Sequence, residues 1–199
     1  MSIIDGFNSP VKPEHVQIFE QCLLPMHRHQ NLNQFRQQLV KAMSKFIIKD
    51  ESLTDQAILS CIKFWPKVDP HKEVGSLVEL ETLLNLLHTI EPLIDIRHYL
   101  LSRLAKCISS LHFCVAERAL LLLHNPVLLC LIKEYKNETL PVLVDAILAN
   151  LHRNEDEFMK VLQRNGTYTQ KDFYEPLNGA HWSKSVRGFS IEALKLLTD

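Results

Sequence analysis

The sequence predicts an all-α protein built from antiparallel helix pairs, and three observations carry the prediction. Leucine fills 33 of 199 positions and glycine only 5, whereas a sheet protein with many tight turns needs more glycine. Apolar residues return at helical rather than alternating spacing between Val16 and Leu151. The first helices of successive pairs start near residues 12, 53 and 94, a step of 41, and a shorter pair begins near 126. A period of about 40 residues made of two helices is the mark of a HEAT-type α-solenoid. One pair cannot bury both of its apolar stripes, so each stacks on the next. A closed helical bundle shows the same local stripes; the repeat step favours the solenoid.

The elements follow in order. Lys12-Pro13 places a proline at the first turn of a helix, where its missing N–H costs nothing. Phe35, Leu39, Ala42 and Phe46 then step by four, three and four. Ser52 or Thr54 offers a cap for the helix that carries Ile58, Cys61, Ile62 and Trp65. Asp69-Pro70 supplies an N-cap and a proline at the next position, opening the stripe Val74, Leu77, Leu80, Leu84 and Leu87. Ile96, Leu100, Leu104 and Cys107 form the next, Asn125-Pro126 repeats the cap-plus-proline signal, and Leu140, Val144, Ile147 and Leu151 close the series. Residues 154–180 break the pattern with acidic residues, the turn Asn165-Gly166-Thr167, and Pro176 and Gly179. They read as an inserted, flexible surface segment within a single solenoid fragment spanning 1–199.

Charge and chemistry narrow the function. Lys plus Arg against Asp plus Glu is 22 to 23, a net charge of −1, which argues against the basic surface that non-specific nucleic-acid binding needs. No secretory signal opens the chain. The longest apolar stretch, Ala119 to Ile132, is interrupted by His124-Asn125-Pro126 and falls short of the ~20 residues of a membrane span. The five cysteines (22, 61, 107, 114, 130) show no CxxC spacing and mostly sit among apolar neighbours. They read as small core residues of a reduced, cytosolic protein. No GxGxxG, P-loop, HExxH or GxSxG motif occurs. His27-x-His29 could present two imidazoles, but it ends a helix beside Arg28 with no carboxylate or cysteine to complete a set, and reads as a solvent-exposed terminus. Cys107, Cys114 and Cys130 lie near His112 and His124, yet a leucine-rich setting raises a thiol pKa, the wrong direction for a nucleophile. No enzymatic activity, metal or cofactor is expected.

Polar residues gather instead at the turns between helices. Phe64-Trp65-Pro66-Lys67 with His71-Lys72-Glu73 puts charges and an aromatic at one hinge; Ser109-Ser110, His112 and Glu117-Arg118 mark a second, and His181-Trp182-Ser183-Lys184 a third. Ordinary caps and inter-helix salt bridges account for such residues, and so does a ridge of turns forming a partner surface.

These stretches also carry a resemblance. Lys63-Phe64-Trp65-Pro66-Lys67, Lys72-Glu73-Val74, Leu104-Ala105-Lys106-Cys107-Ile108-Ser109-Ser110, His112-Phe113 and Val115-Ala116-Glu117-Arg118-Ala119-Leu120 resemble the B-prime family of protein phosphatase 2A regulatory subunits. So do Ile3-Ile4-Asp5-Gly6-Phe7, Lys12-x-x-His15 and Leu23-Leu24-Pro25-Met26-His27 towards the start, and His181-Trp182-Ser183-Lys184, Arg187-Gly188 and Ala193-Leu194-Lys195-Leu196 at the end. The match is collinear over residues 1 to about 153 and from about 181 to 198.

The resemblance implies a non-catalytic subunit that binds the phosphatase scaffold and catalytic subunits and selects substrates, with neither nucleic acid nor membrane as partner. It captures substrates carrying short Leu-x-x-Ile-x-Glu motifs in a groove built across repeats. Ile3 would join the apolar floor of that groove, and Lys12 and His15 would face the acidic end of the peptide. Lys67, His71, Lys72, His112, Glu117, Arg118 and Trp182 are the candidate subunit-interface residues. The family carries further repeats and groove residues upstream, including a histidine–arginine pair, so the chain reads as the C-terminal part of such a solenoid. Where the family has a short link, this chain has 154–180. The expected location is the cytoplasm, with the nucleus as a second compartment. A generic HEAT or armadillo adaptor is the competing reading.

Overall fold

The computed structural model describes residues 2–7, 9, 11–151 and 181–198; the 154–180 segment lies outside them. All regular structure in the described residues is helical, as the leucine stripes require. The chain divides into two compact units, residues 1–100 with 124–134, and residues 101–123 with 135–199.

The first unit opens with α1 (Ser2–Asp5) and α2 (Pro13–Ile18), which runs through a π-turn (Phe19–Leu23) into a 3-10 turn (Leu24–Arg28). Next come α3 (Leu32–Ile47), a 3-10 turn (Glu51–Leu53), α4 (Thr54–Lys63), α5 (Pro70–Leu84) and α6 (Glu91–Ile94). Helix α7 (Arg97–Ile108) straddles the division between the units, and α9 (Pro126–Glu134) returns to the first. The starts at Pro13 and Thr54 fall where the repeat step puts them, α6 and α7 bracket the start expected near 94, and the shorter pair expected near 126 opens at Pro126. Consecutive helices such as α4 and α5 pack on each other across a short turn, the geometry of an antiparallel pair.

The caps explain the boundaries. Asp69 accepts from the backbone N–H groups of His71 (3.0 Å) and Lys72 (3.2 Å) ahead of Pro70, and Asn125 Oδ1 accepts from Val127 (3.0 Å) and Leu128 (3.2 Å) ahead of Pro126. Both satisfy donors that a helix start leaves orphaned. Neither Ser52 nor Thr54 caps α4: its N-cap is Leu53, which makes no side-chain hydrogen bond, and Asp50 caps the 3-10 turn Glu51–Leu53 ahead of it. Asp50 sits in extended backbone and accepts from the Ser52 N–H (3.1 Å) and hydroxyl (2.6 Å). Ser52 is therefore a donor to the cap, and Thr54 already lies inside the helix, fully buried.

The core of this unit holds Phe19, Met43, Phe46, Ile47, Ile58, Leu77, Leu80, Leu83, Leu84 and Leu93, all essentially inaccessible, each contributing about 1.5–3 kcal/mol by leaving water. Phe35, Ile62 and Val74 from the predicted stripes lie half-buried at its edge. The Asn125 amide donates to Asn85 Oδ1 at 2.7 Å, tying α9 to the end of α5.

In the second unit, α11 (Lys184–Thr198) packs against both α8 (Phe113–Leu122) and α10 (Lys136–Leu151). Val115, Ala116, Ala119, Leu120, Leu143, Ile147, Val186 and Ala193 are buried between them. Buried Asn150 binds three elements: its amide donates to Ile108 O (2.9 Å) and Ser190 Oγ (3.3 Å), and its backbone carbonyl accepts from His181 N–H (2.9 Å).

The cysteines correct the sequence reading. Cys61 and Cys107 are buried, but Cys22, Cys114 and Cys130 are exposed. Cys114 and Cys130 have buried neighbours, Val115 and Leu131, but adjacent helical residues point about 100° apart, so apolar neighbours in sequence do not make a core position. Among the described residues, no single helix is long and apolar enough to cross a membrane.

Candidate functional site

The residues singled out by the sequence fall into three places, each within one unit. The first surrounds α2. Ile3 lies on α1. Lys12 is the exposed N-cap of α2, in extended backbone, and its carbonyl accepts from the His15 (2.9 Å) and Val16 (3.1 Å) N–H groups. The His15 ring stacks on Phe7, with centroids 3.7 Å apart and planes 8° from parallel, and its Nδ1 is buried without a hydrogen-bond partner. Phe7 stands edge-on to Phe46 at 5.8 Å. Two lysines of the α3 end hold this segment: Lys45 pairs with Asp5 at 2.5 Å, and Lys49 donates to the carbonyls of Phe7 and Asp5. The Lys45 hydrogen bond keeps the Asp5 carboxyl below its ordinary pKa. The sequence reading placed Lys12 and His15 here and missed Phe7 as the ring partner.

The second place is the α4–α5 turn. Lys67 and His71 are exposed, and half-buried Lys72 has its ammonium 3.8 Å from Asp69. Trp65 is buried with its indole N–H donating to Glu73 Oε1 at 2.9 Å. Behind the turn lies a buried ionic cluster. Glu79, 1% exposed, accepts from His27 Nε2 through Oε1 and from Arg36 Nη1 through Oε2, both at 2.7 Å. Arg36 also donates to Ser76 Oγ at 3.0 Å. His27 Nδ1 lies 3.0 Å from the Leu24 carbonyl and 3.1 Å from the Ser60 hydroxyl. Gly75 leaves room for the guanidinium, since a Cβ there would stand 3.2 Å from Arg36 Nε. His27 is thus not the solvent-exposed helix terminus its sequence position suggests. It is 4% exposed, because a carboxylate 52 residues away draws it inward; His29 does remain exposed.

The third place joins the remaining two turns. His112 is exposed at the start of α8, and Glu117 and Arg118 are half-buried one to two turns on. Trp182, 66% exposed, donates its indole N–H to Leu111 O (3.1 Å) and meets Phe113 edge-on at 5.5 Å. His181 is 7% exposed, with Nε2 3.2 Å from Ser110 O. Burial depresses the His181 pKa below its ordinary 6.5; the Ser110 carbonyl opposes this and the Arg187 charge adds to it. The unfolded chain therefore binds a proton more readily than the folded one. The stabilising contribution is complete above pH 6.5 and declines as the pH falls below it. Denaturation of wild type and His181→Asn followed by Trp182 fluorescence should show a steeper acid-side loss in the wild type, and parallel curves would contradict the assignment. Among the described residues, no group of three or more His, Cys, Asp or Glu side chains is arranged to hold a metal.

Residues 1–154 match the family model for the protein phosphatase 2A regulatory B subunit (B56 family). The serine/threonine-protein phosphatase 2A 56 kDa regulatory subunit delta isoform of Homo sapiens is 34% identical over 198 residues, covering 100% of this chain and 28% of that protein. The Homo sapiens beta isoform is 33% identical over 193 residues (96% of this chain, 37% of that protein), and the alpha isoform 40% over 142 residues (71% and 29%). The chain thus spans less than two fifths of the length of these curated relatives. The family model spans more than half of the chain, and the chain belongs to the B56 family of protein phosphatase 2A regulatory B subunits.

Proposed function

We propose that this chain acts as a non-catalytic targeting element of protein phosphatase 2A, binding the scaffold and catalytic subunits and helping to capture substrates that carry Leu-x-x-Ile-x-Glu motifs. Family membership carries the reading. In this reading residues 1–199 form one solenoid fragment and work in the cytoplasm and nucleus. Lys67, His71, Lys72, His112, Glu117, Arg118 and Trp182 supply subunit contacts from the turns. Ile3, Lys12 and His15 supply one part of the peptide groove. The exposed Lys12 supports that assignment, because an acidic side chain needs a cation beside it.

Purified chain should be retained by immobilised phosphatase scaffold subunit and should release no phosphate from a phosphopeptide by itself; failure of retention would favour the generic adaptor. For the groove, residues 1–199 are fused behind the upstream part of the Homo sapiens delta relative and titrated with a Leu-x-x-Ile-x-Glu peptide. Lys12→Glu should weaken binding by about 1.5–3 kcal/mol or more, since it removes one charge-assisted contact and adds a repulsion. Unchanged affinity would remove Lys12 from the groove.

A further inference from the structure

We propose that the first unit holds a second binding site, for a phosphorylated or strongly acidic peptide segment, in the cleft beside the α4–α5 turn. The cleft has a volume of about 400 Å³ and is lined by Arg28, Lys63, Lys67 and Lys72 around Phe64 and Trp65. No aspartate or glutamate is among the described residues that line it. The carboxylates nearest in the fold are already engaged. Glu79 accepts from both His27 and Arg36, Glu73 accepts from the Trp65 indole, and Asp69 caps α5 while lying 3.8 Å from Lys72. Four cationic side chains, with Arg36 a fifth already paired to Glu79, therefore line one concavity that no carboxylate among the described residues lines, although the chain as a whole is at −1.

The shape selects among anions. A cleft of this size is at the small end of ligand sites, so it seats one side chain and its neighbours rather than a folded element. A phosphoryl group brings close to two negative charges and three acceptor oxygens, which several lysine and arginine donors can share. Nucleic acid fits poorly. Of the two rings that line it, Trp65 is buried and Phe64 is half-buried with the Lys63 ammonium over it at 5.6 Å, and one short concavity cannot follow a phosphate backbone. The site is separate from the Lys12–His15 corner: the cleft borders α3 near Asn33 and the corner borders it near Phe46, a separation of about 20 Å along the helix. Lys67 and Lys72 are shared with the proposed subunit-contact turn, so the site is tested on the chain free of phosphatase subunits.

The chain contains two tryptophans, one in this cleft and one in the other unit, so their indole N–H resonances give a built-in control. The full chain is titrated with a short peptide carrying a phosphoserine flanked by glutamates. The Trp65 indole should shift and the Trp182 indole should not, with affinity falling as salt is raised. The unphosphorylated peptide should bind about tenfold or more weakly. Lys63→Glu with Lys67→Glu should abolish the shift, and the neutral Lys63→Gln with Lys67→Gln pair should weaken it; both positions are exposed, and circular dichroism checks that the fold is kept. Lys12→Glu should leave it unchanged. The proposal is overturned if Trp65 stays silent, if Lys12→Glu costs as much as the cleft variants, or if inorganic phosphate or a single-stranded oligonucleotide binds as tightly as the phosphopeptide. No phosphatase subunit enters the experiment, so its failure leaves the regulatory reading standing.

Discussion

Glu79→Ala should destabilise the first unit by about 3–5 kcal/mol, the range for breaking a buried ion pair by removing one partner. Arg36 is 8% exposed and cannot turn to water without dragging its apolar stem out of the interface, while His27 is 4% exposed with its ring against Leu24 and Ser60. Deleting the carboxylate leaves a guanidinium and an imidazole facing each other with no acceptor between them. Glu79→Gln keeps the shape but cannot accept from both donors, because one of its two terminal atoms is itself a donor, so it should fall between alanine and wild type. The triple replacement Glu79→Leu, Arg36→Met, His27→Leu should recover much of the loss, since a buried ionic cluster exchanged as a whole for apolar residues is often neutral or better. Urea titration of a Trp182→Phe background, with Trp65 as the reporter, measures the three variants against the unsubstituted chain. A single-site loss below about 1 kcal/mol would mean that the cluster is solvated in the folded chain.

Phe46→Ala should cost a similar amount, about 3–5 kcal/mol, and should also disturb the Lys12–His15 corner. The Phe46 ring is fully buried, tilted against Phe19 at 5.4 Å and met edge-on by Phe7 at 5.8 Å. Phe7 in turn carries the His15 ring. Truncation empties the space beneath three elements at once, so the lost transfer energy is joined by a cavity term. Phe46→Leu keeps most of the volume and should cost about 1.5 kcal/mol or less. Hydrogen exchange at residues 4–16 should accelerate in the alanine variant relative to exchange in α5; uniform acceleration would mean that Phe46 serves the core alone.

The helices were legible because their signals are local. Leu39, Ala42 and Phe46 occupy one face by spacing alone, and Asp69 and Asn125 cap the helices that Pro70 and Pro126 open. What escaped was long-range. His27 looked superficial because nothing within a turn of it could hold it, and its carboxylate partner comes from α5. A sign of the cluster was present all the same: Arg36 interrupts the apolar stripe of α3 between Leu32 and Leu39, and Glu79 interrupts that of α5 beside Leu80. Opposite charges breaking two apolar faces are expensive unless they meet. The exposed cysteines were misread for the converse reason, since composition near a residue says little about the direction it points. Phe7 was missed because a single aromatic after a glycine carries no period.

Several polar contacts in the first unit share one separation. Asp5 and Lys45, Arg36 and Ser76, and Asn85 and Asn125 each meet 40 residues apart, close to the 41-residue step read from the sequence. Packed leucines hold two layers together but resist sliding only weakly, much as a greased joint does. A directional bond between equivalent places on neighbouring layers acts as a detent, fixing one axial alignment and penalising every shifted one. Each layer is thereby keyed to its own successor. Exchanging or duplicating a repeat within this stretch would preserve the apolar stripes and still misalign the keys, so these repeats are parts of a sequence-specific stack and not interchangeable modules.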